Sequence, residues 1–481
     1  MSIWGSRMSK FIGRQTELKT LLSFSQKKSA SFIVIRGRRR IGKSRLIEEF
    51  GNSFTSFYSF IGLAPNEHST QESQLVEFSR QIAQQFKTAP ARFDNWSDAL
   101  WALGEKVKNG KILLAFDEIS WMGSTDPMFL SYIKNFWDQH LKKNDQLVFI
   151  VCGSASSWIE KNILSHTGFV GRISYTLTLE ELTLPECKSF WDKNVSAYEK
   201  FKVLSVTGGV PKYLEEINPK LPAEENIKKL CFTKGGLLVE EFNQIFSDLF
   251  LRNSDVYKKI VTVLINGSLE RQEICDILNI DPGGRISEYL EELELAGFII
   301  RDYAWSIKTG VDSKLSKYRL KDNYLRFYLK YIDKQLSKIN RQNYHISSFM
   351  SLPELQIILA LQFENLVLNN RHLIFKELEI NEQDVVANNP YYQHKTARNK
   401  GCQIDYLIQT KFSTFYVCEI KFSKNPITTS VISEMKQKID AFVYPKSYSC
   451  RPVLIHVNGV TDELREQDYF SAIIDMSKWL V

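Results

Sequence analysis

Residues 37–44, GRRRIGKS, set two glycines, a lysine and a hydroxyl in the spacing G-x-x-x-x-G-K-[ST]. Each residue type has a task in holding a polyphosphate. Gly37 and Gly42 let the backbone curl, so that the N–H groups of Arg38, Arg39, Arg40 and Ile41 turn toward one anion. Lys43 is expected to reach the β- and γ-phosphates, and the Ser44 hydroxyl to ligate Mg²⁺. Arg45 lies in the first turn of a following helix, whose positive end completes the cradle. The pattern predicts binding of a nucleoside triphosphate, ATP, with Mg²⁺.

Carboxylates recur in two further places. Lys111–Ser120, KILLAFDEIS, is an apolar run ending in Asp117 and Glu118. Asp117 is expected to anchor Mg²⁺ and Glu118 to polarise the attacking water as general base. Near the end of the chain stand Glu364, Asp405, Glu419 and Lys421. In a hairpin formed by GCQIDYLIQ and FSTFYVCEIKFS, residues 419 and 421 share a face. Asp405 on the partner strand can then share one divalent ion with Glu419, and Glu364 is a third candidate ligand. Hard oxygen donors suit Mg²⁺ or Mn²⁺. Lys421 is expected to stabilise developing phosphate charge or position a water. A solvated strand face, or a fold kept for binding alone, remains open for these four residues.

The elements that must position these groups are also legible. Residues 32–35, FIVI, form a buried strand before the loop, and RLIEEF an amphipathic helix after it. Strands alternating with helices predict an α/β domain with a parallel sheet covered on both faces. Between Glu49 and Asn109, YSFIGLAPNEHSTQESQ reads as an irregular polar insert. TGGVPKYLEEI, from Thr207, is a helix-stopping and helix-starting corner. Asp255–Ile332 reads as a winged helix. Its third helix exposes Glu288, Glu291, Glu292 and Glu294 against Arg285, the wrong sign for lying on phosphates.

Several strings resemble a known family. FIGRQTEL, residues 11–18, is similar to the box preceding strand one in AAA-like and STAND ATPases, which implies that Ile12, Gly13 and Arg14 lie at the nucleotide. In those families Ser154 matches a γ-phosphate-sensing position, and Arg172 a finger directed at a neighbouring γ-phosphate. T-G-G-x-P-x-Y-L resembles the archaeal-type ATPase family of the STAND group. That family carries a winged helix and then a PD-(D/E)XK nuclease-like domain. The resemblance implies an ATPase core over 1–180, a helical lid over 181–250 and a winged helix over 251–335. It also implies an α/β restriction-endonuclease-like domain over 336–481. This sequence departs from the family in placing Gln403-Ile404 before Asp405, and Tyr391-Tyr392 where tryptophans are common.

The 481 residues suit about three domains. A net charge of +7 permits nucleic-acid contact without demanding it. Lys395, Arg398, Lys400 and Lys424, with Tyr391 and Tyr392, are expected to form a surface for backbone tracking and stacking on DNA. Seven scattered cysteines without a C-x-x-C pair suggest reduced core thiols. No apolar run approaches the about 20 residues needed to cross a bilayer, and residues 1–10 lack a secretory apolar segment. A cytoplasmic, non-membrane ATPase is expected, with a homo-oligomer as a possibility and Mg²⁺-dependent action on DNA. The alternative is a nucleotide-dependent scaffold whose nuclease-like fold is silent.

Overall fold

The apolar runs of the first 180 residues form β1 (Ser31–Arg36), β2 (Ser56–Ile61), β3 (Ile112–Asp117), β4 (Leu147–Gly153) and β5 (Tyr175–Thr178). The computed structural model describes residues 11–64, 69–249, 254–344, 346, 348–397 and 399–481. It divides into two units, one ending at Glu180 and the other spanning Glu181–Val481. In the first, the five strands pair parallel in the order β2-β3-β4-β1-β5. Both faces are covered, so strand residues alternate between two cores rather than between core and water. Phe32, Val34, Phe116 and Phe149 enter one core, with helices Gln71–Phe86, Trp96–Lys106 and Phe129–Gln139. Ile33, Ile35, Leu113 and Ile150 enter the other, with helices Gln15–Phe24 and Lys43–Gly51. Parallel pairing brings the carboxyl ends of β1, β3 and β4 to one edge of the sheet. Glu118, Ser154 and Gly37 therefore follow one another along that edge.

The insert differs from the expectation. Part of it, Ser56–Ile61, is the edge strand β2, and Gln71–Phe86 is a helix capped by Thr70 and Ser73; Pro65, Asn66, Glu67 and His68 lie outside the described residues. The glutamines of the polar stretch after the strand have a structural role. Gln85, Gln81 and Gln74 pair through their side-chain amides with the N–H and C=O of Ser59, Ile61 and Leu63. Three glutamines on one helix face thus stand in for a sixth strand and close the exposed edge.

In the second unit, helices Ser254–Val263, Arg271–Leu278 and Gly284–Leu295 surround an antiparallel sheet of β6 (Leu269–Glu270), β7 (Ile299–Trp305) and β8 (Asp312–Leu320), ordered β6-β8-β7. Of the four glutamates on the third helix, Glu292 binds the Tyr257 hydroxyl and Glu294 accepts the Arg301 N–H at 3.1 Å. Glu288 and Glu291 remain exposed.

After helix Leu355–Asn369 comes a five-stranded mixed sheet. Its strands are β9 (Val385–Gln393), β10 (Cys402–Thr410), β11 (Thr414–Lys421), β12 (Ser449–His456) and β13 (Ala472–Asp475), ordered β13-β12-β11-β10-β9. β9, β10 and β11 pair antiparallel, and β11, β12 and β13 parallel. Helix Ser430–Ala441 joins β11 to β12. Segments 181–250, 251–335 and 336–481 share a continuous core: Phe201 packs on Phe363, and Tyr213 on Tyr324. The Gly208-Gly209 corner fits closely against Glu181 and Leu182. A Cβ at Gly209 would lie 2.3 Å from the Leu182 carbonyl oxygen. Lys212, at this corner, pairs with Glu216 at 2.5 Å.

Candidate active sites

The loop between β1 and helix Lys43–Gly51 closes tightly around the Lys43 side chain. Only glycine fits at position 37, where φ is +152° and a Cβ would stand 2.6 Å from the Leu179 carbonyl oxygen. Lys43 Nζ donates to the carbonyls of Gly37 and Arg38 at 2.9 and 3.1 Å, lying along the inside of the loop. From behind, Arg14 donates to the Ile41 carbonyl at 3.1 Å and the Glu180 carbonyl at 2.5 Å, and pairs with Glu17. Arg14 thus braces the loop; Gly13 and Arg14 both have positive φ, 72° and 60°, which turns the chain there. Gly13 and Ile12 are half-buried beside it.

Asp117 meets this loop although β4 separates its strand from β1. Its Oδ2 accepts the Ser44 hydroxyl at 2.5 Å, and its Oδ1 accepts the Glu118 N–H and the Cys152 thiol, each at 2.9 Å. Burial first, and then Asp117, push the Cys152 thiol well above its ordinary pKa, so it stays a donor. A hydroxyl and a carboxylate in contact are the hard donors that fit Mg²⁺. Glu118, at φ 50°, accepts the N–H and hydroxyl of Ser154 at 3.0 and 3.1 Å. The serine therefore orients the candidate base. Cys152 was not singled out by the sequence, because its role follows from β4 lying beside β3.

Arg172 stands apart from this cluster. It makes a bidentate pair with Asp138 on helix Phe129–Gln139, with distances of 2.8 to 3.2 Å. That hydrogen bonding holds the Asp138 carboxyl below its ordinary range. Thr178 pairs with Arg36 at the loop end of the sheet, whereas Arg172 precedes β5. The six residues of the adjoining β1 separate the two ends by roughly 20 Å, so Arg172 does not reach the cradle of its own chain.

In the second unit Asp405 and Glu419 face each other across β10 and β11. Lys438 Nζ bridges them, 2.9 Å from Asp405 Oδ1 and 2.5 Å from Glu419 Oε2. Asp405 Oδ2 also accepts the Ile420 N–H at 3.0 Å. Lys421 lies 3.0 Å from Glu419 and 2.6 Å from Glu434. Burial draws both lysines toward neutrality, but the carboxylates around them hold their pKa values above the ordinary one. Burial and then Asp405 raise Glu419, against the pull of Lys438. Glu364, from helix Leu355–Asn369, is pushed up to about 7 by burial and then by Asp405.

The four expected residues thus share one neighbourhood. Among the described residues no three His, Cys, Asp or Glu side chains are gathered tightly enough to hold a metal ion. Lys438 and Glu434 were absent from the sequence reading. Their signal was available, since residues four apart share a helix face and this helix follows the E-x-K strand. Tyr391 and Tyr392 correct the expected stacking surface. Each is only 8 % exposed, and Tyr391 packs on Trp305 and Phe442. Arg398 lies outside the described residues.

The first unit has the parallel α/β fold of a P-loop ATPase, with its cradle, hydroxyl and acidic pair in one place. Residues 11–217 match the family model described as an ATPase domain predominantly from Archaea, and the chain carries an ATPase domain of that type. An uncharacterised protein of Methanocaldococcus jannaschii is 28% identical over 331 residues, covering 68% of this chain and 70% of that protein. A Walker-type ATPase of Pyrococcus abyssi is similar in structure, with a TM-score of 0.50 and 17% identity over 67% of this chain and 97% of its own. Among the described residues no helix is long and apolar enough to cross a membrane.

Proposed function

We propose that ATP hydrolysis by the first unit governs a divalent-metal-dependent, nuclease-like domain that acts on DNA. The observation that carries this reading is the side-by-side placement of Asp405 and Glu419 on neighbouring strands, with Lys421 two residues on and Glu364 adjacent. The flanking helix and the mixed sheet of β9–β13 support reading 336–481 as the PD-(D/E)XK type. Three helices with the β6-β8-β7 sheet support a winged helix over 251–335, and the Gly208-Gly209 corner supports a lid over 181–250.

In the ATPase, Lys43 and the loop N–H groups would bind and orient the phosphates of ATP. Ser44 and Asp117 would hold Mg²⁺, which supplies Lewis-acid stabilisation of phosphate charge. Glu118, oriented by Ser154, would take the proton of the attacking water. We assign Arg172 to the γ-phosphate of a neighbouring copy in a homo-oligomer, since it is remote from its own. In the nuclease-like site Asp405 and Glu419, which now share Lys438, would have to release it and draw closer to Glu364 to hold Mg²⁺ or Mn²⁺, and Lys421 would stabilise the phosphate. A cytoplasmic location fits this role.

The test is DNA cleavage by the full chain with Mg²⁺ or Mn²⁺, with and without ATP. Cleavage should vanish in Asp405→Ala and Glu419→Ala while ATP turnover persists, and Lys43→Ala should abolish both turnover and its control of cleavage. One observation favours a second reading, a nucleotide-dependent scaffold. Lys438 binds both carboxylates, and its ammonium satisfies them without a metal. Intact ATP turnover with no cleavage under any of these conditions would favour it.

A further inference from the structure

A cavity of about 300 Å³ opens against Glu364 and Asp405, enclosed by β8, β9, β10 and the loop at Gly267. Its polar lining is not self-satisfied. Arg326 is fully buried, and its Nε finds no partner among the described residues. Its other nitrogens donate only to neutral oxygens, at Gln362 (3.1 Å) and the Leu320 carbonyl (2.9 Å). Burial pushes its pKa down to about 9. Neighbouring Arg319, by contrast, is neutralised by Asp302 at 2.8 Å. The Tyr392 hydroxyl, also buried on this wall, likewise lacks a partner. Lys317 stands 4.8 Å above the Tyr392 ring. Among the described residues no carboxylate hydrogen-bonds the Arg326 guanidinium: Glu364 and Asp322 act on it only at a distance, and an anion accepting from its unpartnered Nε would complete its hydrogen bonding.

We propose that this cavity takes one unpaired nucleotide of a nucleic-acid strand, with Arg326 and Lys317 toward its phosphate and Tyr392 toward its sugar or base. The inference rests on the nuclease-like reading and deepens it by naming the form of substrate. The volume is at the lower end of small-molecule sites and matches a single nucleotide. A B-form duplex, whose major groove alone is about 12 Å wide, is excluded by size. Paired bases would have to leave the stack to enter. The nucleotide is therefore either a strand end or one extruded from within a strand.

The experiment is fluorescence-anisotropy competition with the full chain in EDTA, using a labelled single-stranded oligonucleotide. Competitors are unlabelled linear single strand, closed single-stranded circle and closed, fully paired duplex circle, each at equal nucleotide concentration. Single strands should compete at least about 10-fold better than duplex. Competition by linear strand alone assigns a strand end, and competition by both single-stranded forms assigns an extruded nucleotide. Tyr392→Phe should weaken single-strand binding about 5-fold, and Lys317→Ala should also lower the salt slope by about one. Thermal midpoints check that each variant folds. Equal competition by duplex, or unchanged binding in both variants, overturns the proposal. Cleavage of the same substrates in Mn²⁺ is read separately. Single-strand preference without cleavage retains the nucleotide cavity and removes the nuclease reading.

Discussion

Replacing Glu364 with glutamine tests the electrostatics of the second site without deleting volume. Burial, and then Asp405, raise this carboxyl from 4.5 to about 7, although Arg319, Arg326 and Lys438 pull the other way. The unfolded chain releases this proton near its ordinary value, while the folded chain keeps it to about 7. The native state therefore binds the extra proton between those values, and stability falls as pH rises through them. The slope is about 1.4 kcal/mol per pH unit, so the ionised group costs on the order of 3 kcal/mol above pH 7. Glu364→Gln does not titrate. Its stability relative to wild type should climb by about 3 kcal/mol between pH 4.5 and pH 8, read by urea denaturation at half-unit steps. Mn²⁺ should shrink that gap if Glu364 is a ligand, because the ion favours the carboxylate. A difference between the two proteins that stays constant with pH would refute the assignment of a buried, proton-retaining Glu364.

Arg172→Ala in dilute protein should leave ATP turnover within about 2-fold, because the side chain is engaged with Asp138 far from its own cradle. A larger loss that is insensitive to protein concentration would place it in its own site after all. Gln81→Ala removes both hydrogen bonds to Ile61, which should lower stability by about 1–2 kcal/mol and raise self-association, seen as light scattering on storage. Gly209→Ala should cost about 3 kcal/mol or more, since the methyl would collide with the Leu182 carbonyl; an unchanged Tm would show that the corner yields.

The sequence by itself determined the ATPase. The cradle, the strand before it and the helix after it are contiguous, so the spacing of Gly37, Gly42, Lys43 and Ser44 carries their geometry. Asp117 and Glu118 were legible because an apolar strand ending in acids is a local pattern. Edge strand β2 was not, although Phe57, Tyr58, Phe60 and Ile61 are apolar. The polar residues that follow it merge with it into one irregular string, and its outer edge is completed by Gln74, Gln81 and Gln85 from a helix rather than by another strand. Tertiary structure alone decided that Cys152 donates to Asp117, because that contact follows from strand order. It likewise decided that Arg172 lies far from its own cradle, since parallel pairing sets it at the opposite end of the sheet. In the second unit the sequence supplied Asp405, Glu419 and Lys421 as a strand-face pattern. Folding supplied Lys438 between the carboxylates, together with Arg326 and Tyr392 around the adjoining cavity. Those groups come from separate helices and strands, and only packing brings their charges within reach of one another.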